Sequence, residues 1–148
     1  IIITGADGFI GSHLSDALID NNFNVCNVVK KNLSNKNKKF KIKKIHRSTN
    51  WSNIFKNYDV LIHCAGISSN KNIKSKNDID NLYEINTYCL ENLIDQAVSS
   101  GIKKIIFFSS FKIINFKNDI KNDGFSLRKK FDYYTHSKFL SEKIKKNE

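Results

Sequence analysis

The chain has 148 residues, enough for one domain with a single sheet and a sizeable core, and its 40% hydrophobic share suits a globular fold. No apolar run is long enough to span a bilayer and no basic-then-apolar signal opens the sequence, so no membrane partner is expected. The net charge of +11 raises nucleic-acid binding only to argue against it: the cations are nearly all Lys scattered among Asn and Ile, Arg occurs only at Arg47 and Arg128, and no aromatic residues interleave as a stacking platform.

The first predicted element is a short buried strand of Ile residues, already under way at Ile1 without an initiating Met, which predicts a truncated N-terminus. Thr4-Gly5 breaks it into a turn, and Gly5, Gly8 and Gly11 lead into a helix carrying Leu14, Ala17 and Leu18. A helix N-terminus offers unpaired N–H groups and the positive end of its dipole to an anion. Glycines there let the chain turn, let a pyrophosphate approach the backbone and let the helix pack close. The reading is nucleotide binding; a tight turn without a ligand is the plainer alternative. Asn24–Val29 is predicted as the second strand, followed by Lys30 and Lys31 where a dinucleotide fold meets the adenosine ribose. A cation there permits a 2′-phosphate, hence NADP as well as NAD; two solvated lysines would look the same. A third short strand is expected around Phe40–Ile45, then a helical turn with Trp51, Ile54 and Phe55.

Asp59–Gly66 reads as an apolar strand buried on both faces, ending in Ala65-Gly66, where small residues let a dinucleotide come close. His63 within it is expected to pack and not to catalyse. Apolar residues at helical spacing predict a helix over Asp78–Ser100, with Asn86 on the buried stripe and therefore in need of partners. Gly101 caps it, and Lys104–Ser110 is expected as the next buried strand, tipped by two hydroxyls. A helix is predicted over Tyr133–Lys146, with Tyr134 and Lys138 one turn apart on one face. An ammonium beside a phenol favours its ionised form, the setting of a general acid/base, although Y-x-x-x-K alone is often just a helix face. Cys26, Cys64 and Cys89 have no metal-ligand spacing and read as small buried hydrophobes, which predicts no metal and a reducing, cytoplasmic compartment.

Taken together, TGADGFIG, the strand DVLIHCAG, the helix YEINTYCLENLIDQA and the SS-tipped strand before Tyr134 and Lys138 resemble the extended short-chain dehydrogenase/reductase superfamily, its NAD-dependent epimerase/dehydratase family, over essentially the whole chain. NWSNIFKNYDVLIHCAG and IIFFSSFKIIN are similar to the bacterial UDP-sugar 4-epimerases and 4-reductases of that family. The resemblance implies an α/β fold, a doubly wound parallel sheet in order 3-2-1-4-5. It further implies that residues 1–148 are an incomplete Rossmann domain lacking the last strand and the sugar-nucleotide domain, with a homodimer as the full-length form. The implied catalytic residues are Ser110, Tyr134 and Lys138. The implied cofactor-binding residues for NAD or NADP are Gly5, Gly8, Phe9, Ile10, Gly11, Lys30, Ala65, Gly66, Asn86, Tyr134 and Lys138. The implied chemistry is at C4 of a nucleotide-linked sugar, a UDP-sugar favoured; a dinucleotide-sensing module without turnover is the alternative. Asn115, Tyr133 and Thr135 depart from the pattern, standing where the family has Gly, Pro and Gly.

Overall fold

A computed structural model describes residues 1–30, 38–42, 44–68, 73–114 and 132–144; Lys31, Asn115, Arg128 and Lys146 lie outside the described residues. Five strands, β1 (Ile2–Thr4), β2 (Cys26–Val29), β3 (Lys38–Lys41), β4 (Val60–His63) and β5 (Lys104–Phe107), pair in the order β3-β2-β1-β4-β5. Every pairing is parallel, in the predicted order. The helices are α1 (Phe9–Asp20), α2 (Ser52–Phe55), α3 (Lys76–Tyr83), α4 (Cys89–Ser99) and α5 (Tyr133–Glu142), and a π-helical turn, Glu84–Tyr88, joins α3 to α4.

Side chains alternate across a strand, so the short β1 serves two cores. Ile2 joins Val28, Trp51, Phe55, Leu61, Leu90 and Leu93 on the α2–α4 face. Ile3 joins Val25, Val29 and Ile62 on the other face, against Leu14 and Leu18 of α1. Both isoleucines are fully buried, each contributing about 1.5–3 kcal/mol relative to exposure. A central strand covered on both sides has no use for polar residues, which is why III reads as a continuous run.

Strand ends follow the ladder. β1 stops at Thr4, opposite Val28 and His63, and β5 stops where Phe107 faces His63. Cys64 and Phe108–Ser110, expected as strand, therefore lie past the paired residues of β4 and β5, and Ala65-Gly66 follow as the expected end of the strand. The apolar stretch Phe40–Ile45 is only partly strand, because β3 pairs through Lys41 with Val29, where β2 ends. β5 is also not the buried strand expected: its residues alternate between exposed and half-buried, since only the face carrying Ile105 and Phe107 packs on a core while that of Lys104 and Ile106 stays exposed. The long helix starts two residues early at Lys76, where Ser75 and Asp78 form a reciprocal capping box. Gly101, at φ +83°, ends it as predicted.

Candidate active site

The carboxyl ends of β1, β2 and β4 open into a cleft of about 290 Å³, lined by Gly5, Asp7, Gly8, Val28, Val29, Lys30, Ile42, Lys44, Ile45, Cys64, Ala65, Gly66, Ile67 and Ile85. It sits at the switch point where the chain leaves β1 toward opposite edges of the sheet. The three glycines do different things there. Gly5 is at φ +68°, and a Cβ on it would lie 2.7 Å from the Ala65 backbone. A Cβ on Gly11 would lie 2.2 Å from the Gly5 carbonyl oxygen, so α1 could not seat on the turn. Gly8 faces the cleft, and its Cβ would meet only the Gly5 carbonyl oxygen, at 3.2 Å. No side chain caps α1 and no acidic residue stands in its first turn. Phe9 is 82% exposed and Ile10 about half exposed, so what they offer the turn is backbone amide and not side chain. The residues present fit a dinucleotide: an uncapped helix N-terminus, an open glycine beside it, and an apolar wall of Val28, Ile42, Ile45 and Ile85.

Lys30 is exposed at the end of β2, and its backbone N–H donates to Asp7 Oδ2 at 3.0 Å. Lys44 is a second cation on the same cleft, one that sequence periodicity gave no reason to place there.

Asn86 lies in the π turn, 1% exposed. Its Oδ1 accepts the Ile67 N–H at 2.8 Å, and its Nδ2 donates to the Ile67 carbonyl at 3.0 Å and to Ser137 Oγ at 3.1 Å. The buried amide thus has its partners, on the backbone just past β4 and on the helix carrying Lys138. Thr87 Oγ1 donates to the Ser137 carbonyl at 3.0 Å, and Ser141 Oγ to the Asn86 carbonyl at 2.6 Å. A π turn widens the helix and re-aims its side chains, here so that the turn docks α5. Ser137 and Ile67 carried no sequence signal of their own. Asp132 did: the D-x-x-T spacing is that of an N-cap, and its carboxylate accepts from the Thr135 N–H at 3.0 Å and the Thr135 hydroxyl at 2.7 Å.

Lys138 is 7% exposed, with Nζ donating to the Phe108 carbonyl at 3.0 Å and standing 4.6 Å from the Phe107 ring centre. Burial lowers its pKa, opposed by the nearby Cys64 and Cys89 thiols. A Cβ on Gly66 would come within 3.2 Å of Asn86 Oδ1 and 3.7 Å of Lys138 Nζ, so this glycine is where cleft and α5 meet. Tyr134 is half-buried on the second residue of α5, with Lys112 Nζ 6.0 Å from its ring centre. Lys112 also reaches Asp132 Oδ2 at 4.0 Å. Ser110 lies just past β5 on the segment that carries Lys112, and its carbonyl accepts the Ile113 N–H at 3.1 Å. Asn86, Ser110, Tyr134 and Lys138 are not among the residues lining the cleft itself; Asn86 and Lys138 approach it at Gly66.

His63 packs as expected. It is buried against Phe107, and Nδ1 lies 2.7 Å from Thr4 Oγ1. Burial pulls its pKa down to about 3, with the Lys138 charge adding to the shift. Burial likewise pushes the half-buried Cys64 thiol up to about 11, which leaves it a poor nucleophile. Among the described residues no three His, Cys, Asp or Glu side chains gather to hold a metal, and no helix is long and apolar enough to cross a membrane.

Parallel sheet, glycine turn and switch-point cleft define a dinucleotide-binding α/β domain of the Rossmann kind. Within that class, the chain belongs to the NAD dependent epimerase/dehydratase family, whose model matches residues 1–147. A UDP-glucose 4-epimerase of Vibrio cholerae is 31% identical over 115 residues, 76% of this chain and 35% of that protein. The human sterol-4-alpha-carboxylate 3-dehydrogenase, decarboxylating, is 27% identical over 146 residues, 95% of this chain and 38% of that protein. The chain thus spans little more than a third of the length of these relatives. Among solved structures, UDP-glucose 4-epimerase from Bifidobacterium longum, in complex with NAD+ and UDP, superposes with a TM-score of 0.74 at 22% identity, over 97% of this chain and 47% of that one.

Proposed function

We propose that this chain is the dinucleotide-binding part of an enzyme performing NAD(P)-dependent redox chemistry at C4 of a nucleotide-linked sugar. A UDP-sugar is the favoured substrate and cytoplasmic polysaccharide or cell-surface sugar synthesis the setting. In this reading residues 1–148 are an incomplete Rossmann domain, further chain holds the sugar nucleotide, and the full-length protein pairs as a homodimer. The observation that carries it is the junction at Gly66, where Asn86 Oδ1 and Lys138 Nζ bound the space a side chain would fill. That junction joins the cleft, at the end of β4, to the helix bearing the Y-x-x-x-K pair. The 31% identity with a UDP-glucose 4-epimerase favours the sugar over the sterol substrate of the more distant relative.

The nicotinamide, when bound, supplies the hydride acceptor and donor. Tyr134 moves the proton of the reacting hydroxyl or carbonyl, Lys138 holds positive charge beside it, and Ser110 positions the same oxygen by a hydrogen bond. Asn86 and Ser137 keep α5, and so Lys138, in register with the cleft.

The test is turnover of UDP-glucose and UDP-N-acetylglucosamine by the full-length polypeptide. Tyr134→Phe keeps the ring and removes the proton carrier, so cofactor binding survives while turnover falls by roughly 10²–10⁴-fold. Lys138→Ala loses turnover and cofactor affinity together, and Ser110→Ala loses less than either. The losses do not add, because the three act as a unit. Wild-type turnover in Tyr134→Phe would leave α5 a helix face and favour the second reading, a dinucleotide-sensing module without turnover.

A further inference from the structure

The loop between β3 and α2 forms one wall of the cleft, yet it lies past the end of the β2–β3 ladder, so something other than strand pairing must hold it. The π turn does. Glu84, its first residue, is buried, and both carboxylate oxygens are engaged by the loop. Oε1 accepts the Arg47 backbone N–H at 2.7 Å; Oε2 accepts Arg47 Nε at 2.8 Å and is also met by Nη2. His46 Nε2 lies 3.5 Å from Oε1. The Arg47 guanidinium also lies 4.7 Å from the ring centre of Tyr88, the last residue of the turn. Both ends of the π turn therefore grip one arginine.

On each side, the ion pair stands next to the cleft wall. Lys44 and Ile45, directly before His46-Arg47, line the cleft, and so does Ile85, directly after Glu84. Burying a carboxylate is costly even when it is paired, and an apolar contact of equal volume is commonly as stable. What a charged pair with a backbone N–H on the same carboxylate adds is a defined geometry.

We propose that Glu84 is a positioning residue that, through Arg47, latches the Lys44–Thr49 loop to the π turn and so sets the wall of the cleft that receives the adenosine end of the dinucleotide. The same turn holds α5 through Asn86, so the latch places the adenosine wall and the catalytic helix on one rigid piece. The inference rests on the dinucleotide reading above and adds to it a residue outside the glycine turn and the Y-x-x-x-K helix.

The experiment measures dissociation constants of NADH, NADPH and ADP-ribose for wild type, Glu84→Gln, Arg47→Met, the double variant and Ile102→Val, with thermal melts beside them. Ile102 is a buried core residue outside the cleft, so its variant reports what a general loss of stability does to binding. Each latch variant should weaken all three ligands about tenfold. The double variant should be no weaker than either single one, because the two side chains form one unit. Ile102→Val should bind as wild type. If wild type binds and Arg47→Met binds equally well, the latch is overturned and the dinucleotide reading stands. If the double variant loses the product of the single losses, the two residues act separately and the latch is again overturned. If wild type binds none of the three, the dinucleotide reading falls and the latch with it. Should Glu84→Gln fail to fold, Arg47→Met decides alone, since its side chain is more than half exposed.

Discussion

Lys30 shows what one residue can decide. It ends β2 on the cleft, with Lys44 on the same wall, while Asp7, the one carboxylate lining that cleft among the described residues, accepts the Lys30 N–H. A carboxylate at the ribose would accept from a 2′-hydroxyl and repel a 2′-phosphate, whereas two ammonium groups attract the phosphate. NADPH is therefore expected to bind more tightly than NADH, and the gap should narrow as salt rises, because attraction between solvent-exposed charges is progressively screened by added ions. Lys30→Ser with Lys44→Ser should erase the preference. Fluorescence titration at two salt concentrations checks it; equal affinities in the wild type would make both lysines solvated surface.

At the scale of the element, the β1–turn–α1 unit divides its glycines between folding and binding. Gly5 and Gly11 answer to backbone: their Cβ atoms would stand 2.7 Å from Ala65 and 2.2 Å from the Gly5 carbonyl oxygen. Gly8 answers chiefly to whatever enters the cleft. Gly11→Ala should destabilise the fold by about 1–3 kcal/mol, the range for overpacking a close contact. A Cβ at Gly8 needs a shift of only a few tenths of an ångström against Gly5, so Gly8→Ala should melt near wild type, while in Gly8→Val the bulk at the turn should collapse dinucleotide affinity. Calorimetric titration and melts on these variants separate the roles. Equal binding by Gly8→Val and wild type would refute the phosphate cradle.

For the molecule as a whole, a buried histidine in the sheet sets an acid limit. His63 sits in β4 between β1 and β5, neutral down to a pKa of about 3. The unfolded chain takes up that proton near pH 6.5, so between these values the unfolded state binds more protons and stability falls as pH falls. The slope from this one group is about 1.4 kcal/mol per pH unit inside the window. Glu84, which Arg47 holds below the usual carboxylate range despite burial, adds acid sensitivity only at lower pH. Urea unfolding from pH 7 to pH 4 should therefore show a steeper loss in wild type than in His63→Gln. Identical slopes would mean that His63 is protonated in the folded protein.

Local spacing was enough for much of this protein. An Ile run, glycines at fixed intervals, a 3.6-residue apolar period with Asn86 on its stripe, and Tyr134 one turn from Lys138 are all short-range signals. Each is dictated by backbone geometry within a few residues. Buried apolar strands alternating with helices pointed to a parallel sheet, but the order β3-β2-β1-β4-β5 was implied by the family resemblance and not by the pattern, which several parallel orders satisfy. Tertiary structure alone decided where strands stop, because a strand lasts only as long as its partner, and so made Ile42, Lys44 and Ile45 cleft wall. It alone joined Arg47 to Glu84, Thr4 to His63 and Asn86 to Ser137, pairs separated by 37, 59 and 51 residues. No periodicity reaches that far; such pairs meet because the sheet order brings their elements together.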